Sequence, residues 1–294
     1  MNYLHAYHAG NFADVVKHVT MVAIITYLQR KETPFRIIDM HAGSGRYNLT
    51  GREAKATGEA EAGINRLFED RNPLKPVSFS PDLDQMLLPY LSVINRLNPG
   101  GPLDIFPGSP LLARHLLRAS DRLTACELHD TEFGRLEKLF AGDRQVLTRH
   151  IDSWTGLKGL VPPDLKRGLI VMDPPYEQPN EFERALDVIS TAVGRFPMGI
   201  YLLWYPIKAR YLADRWAKSM TKRKPQLDVE TILRAELYVR PPDNADQLNG
   251  TGLHIINPPY TLQRTLEDSL PVLQRVLQQA EPTQRFHKTL VELL

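Results

Sequence analysis

Residues 35–45 read Phe35-Arg36-Ile37-Ile38-Asp39-Met40-His41-Ala42-Gly43-Ser44-Gly45, an apolar run that stops at an acid and passes directly into a pair of glycines. The run has the length of a buried strand, and glycines just past a strand end let the backbone turn sharply and approach a ligand closely. Upstream, apolar residues recur at Phe12, Val15, Val16, Val19, Val22 and Ala23, the spacing of a long helix from Asn11 to Lys31 that Asn11 caps. This spacing puts Asp14, Lys17 and His18 together on the other side of that helix. Downstream, strand candidates run from Arg122 to Glu127, Gln145 to Thr148, Gly168 to Met172, Gly199 to Tyr205, Glu230 to Val239 and Gly252 to Ile256, most of them separated by helical spacing. Strands alternating with helices predict a parallel, doubly wound α/β sheet. Residues 46–101 break the rhythm, with helical patterns at Gly58 to Phe68 and Asp82 to Leu97 joined by the proline-containing stretch Asn72 to Pro81. The boundaries expected are therefore 1–45 with 102–294 for the α/β domain and 46–101 for an inserted helical subdomain.

A chain of 294 residues that is 43% hydrophobic and 24% charged can bury one large core and has the balance of an ordinary globular protein. Its single cysteine, Cys126, closes no disulfide within the chain, and no Cys/His spacing of the zinc type occurs, so no metal is expected. The start Met1-Asn2-Tyr3-Leu4-His5 lacks the basic and apolar regions of a secretory leader, and no apolar run approaches the roughly 18 residues of a membrane span. A cytoplasmic protein without membrane contact is the expectation, with a monomer as the default state. A net charge of +2 leaves a polyanionic partner open. Between residues 208 and 224 lie Lys208, Arg210, Arg215, Lys218, Lys222, Arg223 and Lys224, opposed only by Asp214. Such a cluster suits a solvated helix face or a set of phosphate contacts.

The glycine turn lacks the third glycine of a dinucleotide fingerprint, because Asn48 stands where it would fall. That argues against a pyrophosphate site. S-adenosylmethionine carries no phosphate and needs close backbone approach without an anion-binding helix start. A nucleoside cofactor also needs a carboxylate at the end of the next strand to accept from the ribose hydroxyls. Glu127 ends the strand from Arg122, and the insertion accounts for its distance from the turn. Asp152, followed by Ser153, comes after a further strand and is placed to reach the adenine amine of the cofactor.

The apolar strand Leu169-Ile170-Val171-Met172 runs into Asp173-Pro174-Pro175-Tyr176. Two consecutive prolines stop a strand and fix the direction of the carbonyls around them. The exocyclic amine of adenine is a poor nucleophile because its lone pair is delocalised into the ring. A carboxylate and a backbone carbonyl that both accept from the amine favour tetrahedral nitrogen and stabilise the charge that develops during methyl transfer. On this reading Asp173 and the Pro174 carbonyl hold the amine and Tyr176 stacks on the extruded base. A second copy, Asn257-Pro258-Pro259-Tyr260, has the tetrapeptide also used on other amines and amides. It lies beyond three further strands, towards the last element of the sheet, so a structural role is expected for it. The residues leave RNA and DNA both open as carriers of the adenine, although no helix-turn-helix or other DNA-reading module is visible. A protein that binds without turnover is the reading that an intact Asp173 opposes.

Taken in order, His8-Ala9-Gly10-Asn11, Ala13-Asp14-Val15, Lys17-His18, His41-Ala42-Gly43, Gly45-Arg46-Tyr47, Pro107-Gly108-Ser109-Pro110, Glu127-Leu128-His129, Asp173-Pro174-Pro175-Tyr176, Leu203-Trp204-Tyr205-Pro206 and Asn257-Pro258-Pro259, together with Tyr3, make the chain closely resemble the bacterial large-subunit ribosomal RNA adenine-N6 methyltransferase J family. The resemblance spans almost the whole length. It implies a Rossmann-like S-adenosylmethionine-dependent methyltransferase fold with a helical insertion, and methylation of one adenine of 23S ribosomal RNA. By matching motif it implies that His18, His41, Ser109, Glu127, Asp152, Ser153 and Asp173 line the cofactor, that Asp173 is catalytic, and that Tyr3 faces the substrate base. Ser153 stands where relatives tend to carry glycine.

Overall fold

The computed structural model describes residues 4–178, 180–281 and 284–294. Helix α1 (Phe12–Gln29) leads into strand β1 (Arg36–Asp39), and the glycine turn that follows carries the chain into β2 (Arg46–Asn48). Next come α2 (Arg52–Thr57), α3 (Pro81–Leu97) and β3 (Ile105–Pro107), which pairs antiparallel with β2 in a two-stranded ribbon. Alternation then sets in with α4 (Ser109–Leu116), β4 (Arg122–Glu127), α5 (Asp130–Leu139), β5 (Val146–His150), α6 (Ser153–Leu160), β6 (Gly168–Met172), α7 (Glu181–Arg195), β7 (Ile200–Ile207) and α8 (Arg210–Leu227). The last elements are β8 (Ile232–Tyr238), β9 (Gly250–Ile256), α9 (Leu262–Leu277) and β10 (Thr289–Leu293).

The main sheet has the order β10-β8-β9-β7-β6-β1-β4-β5. Successive residues of its central strands enter opposite cores: Ile37, Leu169 and Val171 join one, Ile38, Ile170 and Met172 the other. Both faces are therefore covered, one by α1, α4 and α9 and the other by α6, α7 and α8, which is why these strands read as unbroken apolar runs. From β1 the chain builds outward through β4 to β5 and then returns to the other flank of β1 as β6. The reversal beside β1 is the switch point at which α/β sheets hold ligands, outside the carboxyl ends of the strands.

The sheet departs from the parallel expectation. Strand β9 runs antiparallel to both β7 and β8, and β10 is antiparallel to β8. No helix intervenes between β8 and β9, and a short connection returns the chain beside itself in the opposite direction. Nor is the stretch from Gly58 to Phe68 one helix. Gly58, at φ +65°, closes α2, and short 3-10 turns at Glu59–Ala62 and Ile64–Leu67 follow. Their Ile64 and Leu67, with Leu83, Leu87 and Tyr90 of α3, enter the core that surrounds α1.

Helix α1 also departs from its expected pattern. The Asn11 side chain accepts from the Asp14 N–H and caps the helix as its sequence suggests, but Asp14, Lys17 and His18 are buried at 2%, 5% and 1% exposure. A helix enclosed by α3, α4, α9 and β9 has no solvent side to offer them. The charges of Asp14 and Lys17 are paired inward, at the switch point.

Candidate active site

The glycine turn after β1 is held by the acid at the end of β4. One oxygen of Glu127 accepts from the Gly43 N–H at 2.8 Å, and the other accepts from the Leu128 and His129 N–H groups at 2.8 and 2.7 Å. Gly43 has φ +58°, and a Cβ there would meet the Tyr47 hydroxyl at 2.1 Å, so both conformation and space call for glycine. One strand over, the Asp152 side chain caps α6 by accepting from the Trp154 N–H at 3.0 Å. Ser153 opens α6 in ordinary helical backbone, a position without the positive φ that would favour glycine.

Asp173 follows β6 and sits between two basic residues. Its N–H donates to His41 Nδ1 at 3.1 Å, and its carboxylate accepts from the Lys17 ammonium, which also pairs with Asp14 at 3.0 Å. Burial pulls the His41 pKa down to about 4, so the ring is neutral. Because Nδ1 accepts, the ring proton is on Nε2. Burial also works against the Lys17 charge, but Asp173 and Asp14 outweigh it and hold the ammonium well above its usual range. For Asp14 burial likewise favours the neutral form, and His5 and Lys17 overcome it and hold the carboxyl well below the usual range. The Nε2 of His5 lies 2.9 Å from the second oxygen of Asp14, which also accepts from the Gly10 N–H. A chain of side-chain contacts thus leads from His5 through Asp14 and Lys17 to Asp173.

Asp39 supports this arrangement from below, accepting from the Ser109 hydroxyl at 2.6 Å and the His41 N–H at 3.2 Å. Burial pushes its pKa up to about 6, against the opposing pull of those two donors. A carboxyl near 4 in the unfolded chain and near 6 in the fold binds its proton more tightly when folded, so stability is lost as pH rises through that interval. Asp39→Asn imitates the protonated acid. It is expected to unfold like the parent at about pH 4 and to be more stable by about 1–3 kcal/mol at about pH 8, which thermal unfolding of both proteins across pH will show; an equal difference at both ends contradicts the assignment.

Apart from Asp39 and Gly10, which lie behind its wall, these groups line one cavity of about 420 Å³, within the usual range for a small-molecule site. The sequence-selected His18, His41, Ser109, Glu127, Asp152, Ser153, Asp173, Pro174 and Tyr176 all line it. Both ring nitrogens of His18 are buried without a hydrogen-bond partner, and the ring stacks on Phe106. Tyr176 has φ +53°; its hydroxyl donates to the Trp204 carbonyl at 2.6 Å and its ring leans on Trp216. Tyr3 lies outside the described residues. Sequence reasoning did not select Lys17, Asp14, His5 or Trp154, although each lines the cavity. Trp154 is backed by the Arg184 guanidinium, 4.7 Å from its ring, and sets its edge against His41.

Asn257 lies elsewhere. Ile256 pairs with Tyr201 at the start of β7, so the antiparallel β9 delivers Asn257 to the opposite end of the sheet from Asp173. Strand β9 is internal to the sheet, flanked by β7 and β8, with β10 at the edge beyond β8. The Asn257 amide donates to the Pro197 and Gly199 carbonyls at 2.7 and 2.8 Å and ties the start of β7 in place.

Comparison with known proteins gives this site its context. The family model described as Ribosomal RNA large subunit methyltransferase D, RlmJ, matches residues 32–289. The chain belongs to this family. Among curated members of the J family, the Ribosomal RNA large subunit methyltransferase J of Haemophilus influenzae is 35% identical over 278 residues and that of Escherichia coli K12 is 36% identical over 277, each match covering 94% of both chains. The crystal structure of a Legionella pneumophila protein, assigned to the DUF519 family model, superposes with a TM-score of 0.82 at 33% identity, covering 98% of both chains. These alignments take in β1, β4, β5 and β6 and hence every strand-end acid that faces the cavity. The J-family fold and its methyltransferase character apply to this chain along nearly its whole length.

Proposed function

We propose that this chain is an S-adenosylmethionine-dependent methyltransferase that methylates N6 of one adenine in 23S ribosomal RNA, of the adenine 2030 type. The observation that carries the reading is the placement of Asp173-Pro174-Pro175 at the switch point, in the same cavity as Glu127 and Asp152. The residues fit the cofactor. Two strand-end acids beside the glycine turn suit a nucleoside, and Glu127, already accepting from the Gly43 N–H, repels a pyrophosphate. Glu127 accepts from the ribose hydroxyls, Asp152 and Ser153 take the adenine end, and His18, His41, Ser109 and Asp173 line the remainder. When bound, S-adenosylmethionine supplies an electrophilic methyl group.

The chain's own contribution is to hold the amine. Asp173 and the Pro174 carbonyl would accept its two hydrogens, orient its lone pair toward the methyl group and stabilise positive charge as the N–C bond forms and the methyl's bond to sulfur breaks, the surplus N6 proton then passing to the Asp173 carboxylate. Lys17 has only donors and does not activate the amine; it fixes the rotamer of Asp173. Tyr176, backed by Trp216, offers a ring to the base, and Tyr3 is assigned to the substrate base by its motif alone. Residues 46–101 act as an inserted subdomain beside the cavity, contributing Glu59 to its wall. No described helix is long and apolar enough to cross a membrane; the working assignment is a cytoplasmic enzyme that acts as a monomer.

Labelled S-adenosylmethionine offered separately with protein-free 23S RNA, assembled subunits and adenine-matched duplex DNA tests the reading. Label at adenine N6 of the RNA is expected; label in DNA alone, or nowhere, overturns it. Glu127→Gln is expected to weaken cofactor binding about 10- to 100-fold, the loss of one or two hydrogen bonds to a charged acceptor. Its rate at saturating cofactor stays within about threefold, because Glu127 touches no reacting atom. Titration calorimetry and steady-state rates separate the two effects.

A further inference from the structure

The basic stretch after β7 is not uniform. On α8, Arg210 pairs with Asp214, Arg223 reaches Asp187 and Glu183 on α7, and Lys224 donates to the Leu294 carbonyl. Asp214, the acid within the stretch, is also engaged by Arg234. Arg215, Lys218 and Lys222 remain exposed and make no ion pair or side-chain hydrogen bond among the described residues.

These three cations fall at spacings of three and four residues and continue a line that begins at Tyr211, whose side chain is 68% exposed. At 100° per residue the four positions share an arc of about 60°, and at 1.5 Å per residue they extend for about 16 Å, several nucleotide steps. The line starts three residues beyond the cavity rim. Lys208, two residues before α8, is exposed and lines that rim together with Pro206. Helix α8 follows β7, the neighbour of β6, so its first turn lies at the carboxyl end of the sheet, where Asp173 also lies.

We propose that Tyr211, Arg215, Lys218 and Lys222 form a track for the RNA strand that flanks the target nucleotide. Resting on the RNA assignment above, the track gives its substrate a path on the protein. Tyr211 stacks on a base just outside the cavity, and the three cations meet successive phosphates as the strand runs down α8. An exposed aromatic near the cavity followed by cations along one helix face at near-phosphate spacing matches a single strand, whose bases alternate with phosphates, better than an acidic protein surface.

The test compares wild-type protein with R215Q/K218Q/K222Q and with R30Q/K31Q/K166Q, which removes the same charge at the far end of the sheet. Binding of a fluorescent, protein-free 23S fragment is followed by anisotropy over a range of KCl concentrations. The track variant is expected to lose about two units from the slope of log affinity against log salt, near 0.7 per phosphate contact. Its KM for RNA rises tenfold or more, with kcat at saturating RNA within twofold and cofactor affinity unchanged. Y211A weakens binding without changing the slope, and Y211F restores it. A track variant that behaves like the far-end control overturns the proposal. Wild-type protein that methylates no RNA contradicts the substrate assignment instead.

Discussion

Asp173→Ala is expected to lower methyl transfer to RNA by about three orders of magnitude while S-adenosylmethionine still binds. A group that meets the amine most strongly in the transition state is worth 10²- to 10³-fold when a single polar contact is removed, and 10²- to 10⁴-fold when it also receives a proton. Asp173 holds the amine and is the carboxylate next to it, so both contributions fall together. The substitution also deprives Lys17 of one of its two anions, leaving Asp14 at 3.0 Å as the other. Asp173→Asn keeps the shape and part of the polar contact and is therefore the better folded control. Labelled transfer measured for both variants, alongside cofactor titration, decides the matter: turnover above a tenth of wild type in the asparagine variant rules out a catalytic carboxylate.

Lys17→Met has the next largest expected effect, and its pH dependence identifies the cause. Removing the ammonium leaves two carboxylates at the switch point, one of them the fully buried Asp14. Breaking a buried pair in this way costs roughly 3–5 kcal/mol. Lys17 itself, raised in the fold, adds stability that is present below its unfolded pKa near 10 and is lost only as pH rises through the folded value. Asp14 is depressed, so its contribution is present above about pH 4 and is lost as pH falls through its folded value. In Lys17→Met that depression shrinks. The variant is therefore expected to be strongly destabilised at neutral pH and much less so toward about pH 4, where its carboxyls take up protons. Denaturant unfolding across pH measures this, and a pH-independent loss points to packing alone. Activity falls at least tenfold at temperatures where the variant is folded, because Asp173 loses the contact that fixes it.

The glycine turn and the acids at strand ends were legible because each requirement is local: Gly43 supplies a positive φ, and Glu127 and Asp173 end apolar runs. The surroundings of α1 were harder to read. Its helical period is correct, yet Phe12, Val15, Val16, Met21, Ile24 and Ile25 occupy every side of the helix and all are buried. A helix apolar all round is enclosed, and that was the available sign that Asp14 and Lys17 face a site. Strand direction is not encoded in composition. The clue for β9 was the helix-free connection from Val239 to Asn249, too short for a parallel crossover. Trp154 carries no local signal, and only the closing of the sheet brings it to the cavity; His5 arrives by the short turn before α1 that sets it against Asp14, nine residues on.

The pair between Lys17 and Asp173 joins positions 156 residues apart. On a translating ribosome adding about 5–20 residues per second, the carboxylate emerges roughly 8–30 s after the ammonium. During that interval Asp14, within the same helix, is the anion beside Lys17, and β6, the strand that pairs with both β1 and β7, has yet to be made. A nascent chain halted before Gly168 therefore has neither its reactive carboxylate nor the middle of its sheet, and chemical competence arrives together with the strand that lets the fold close.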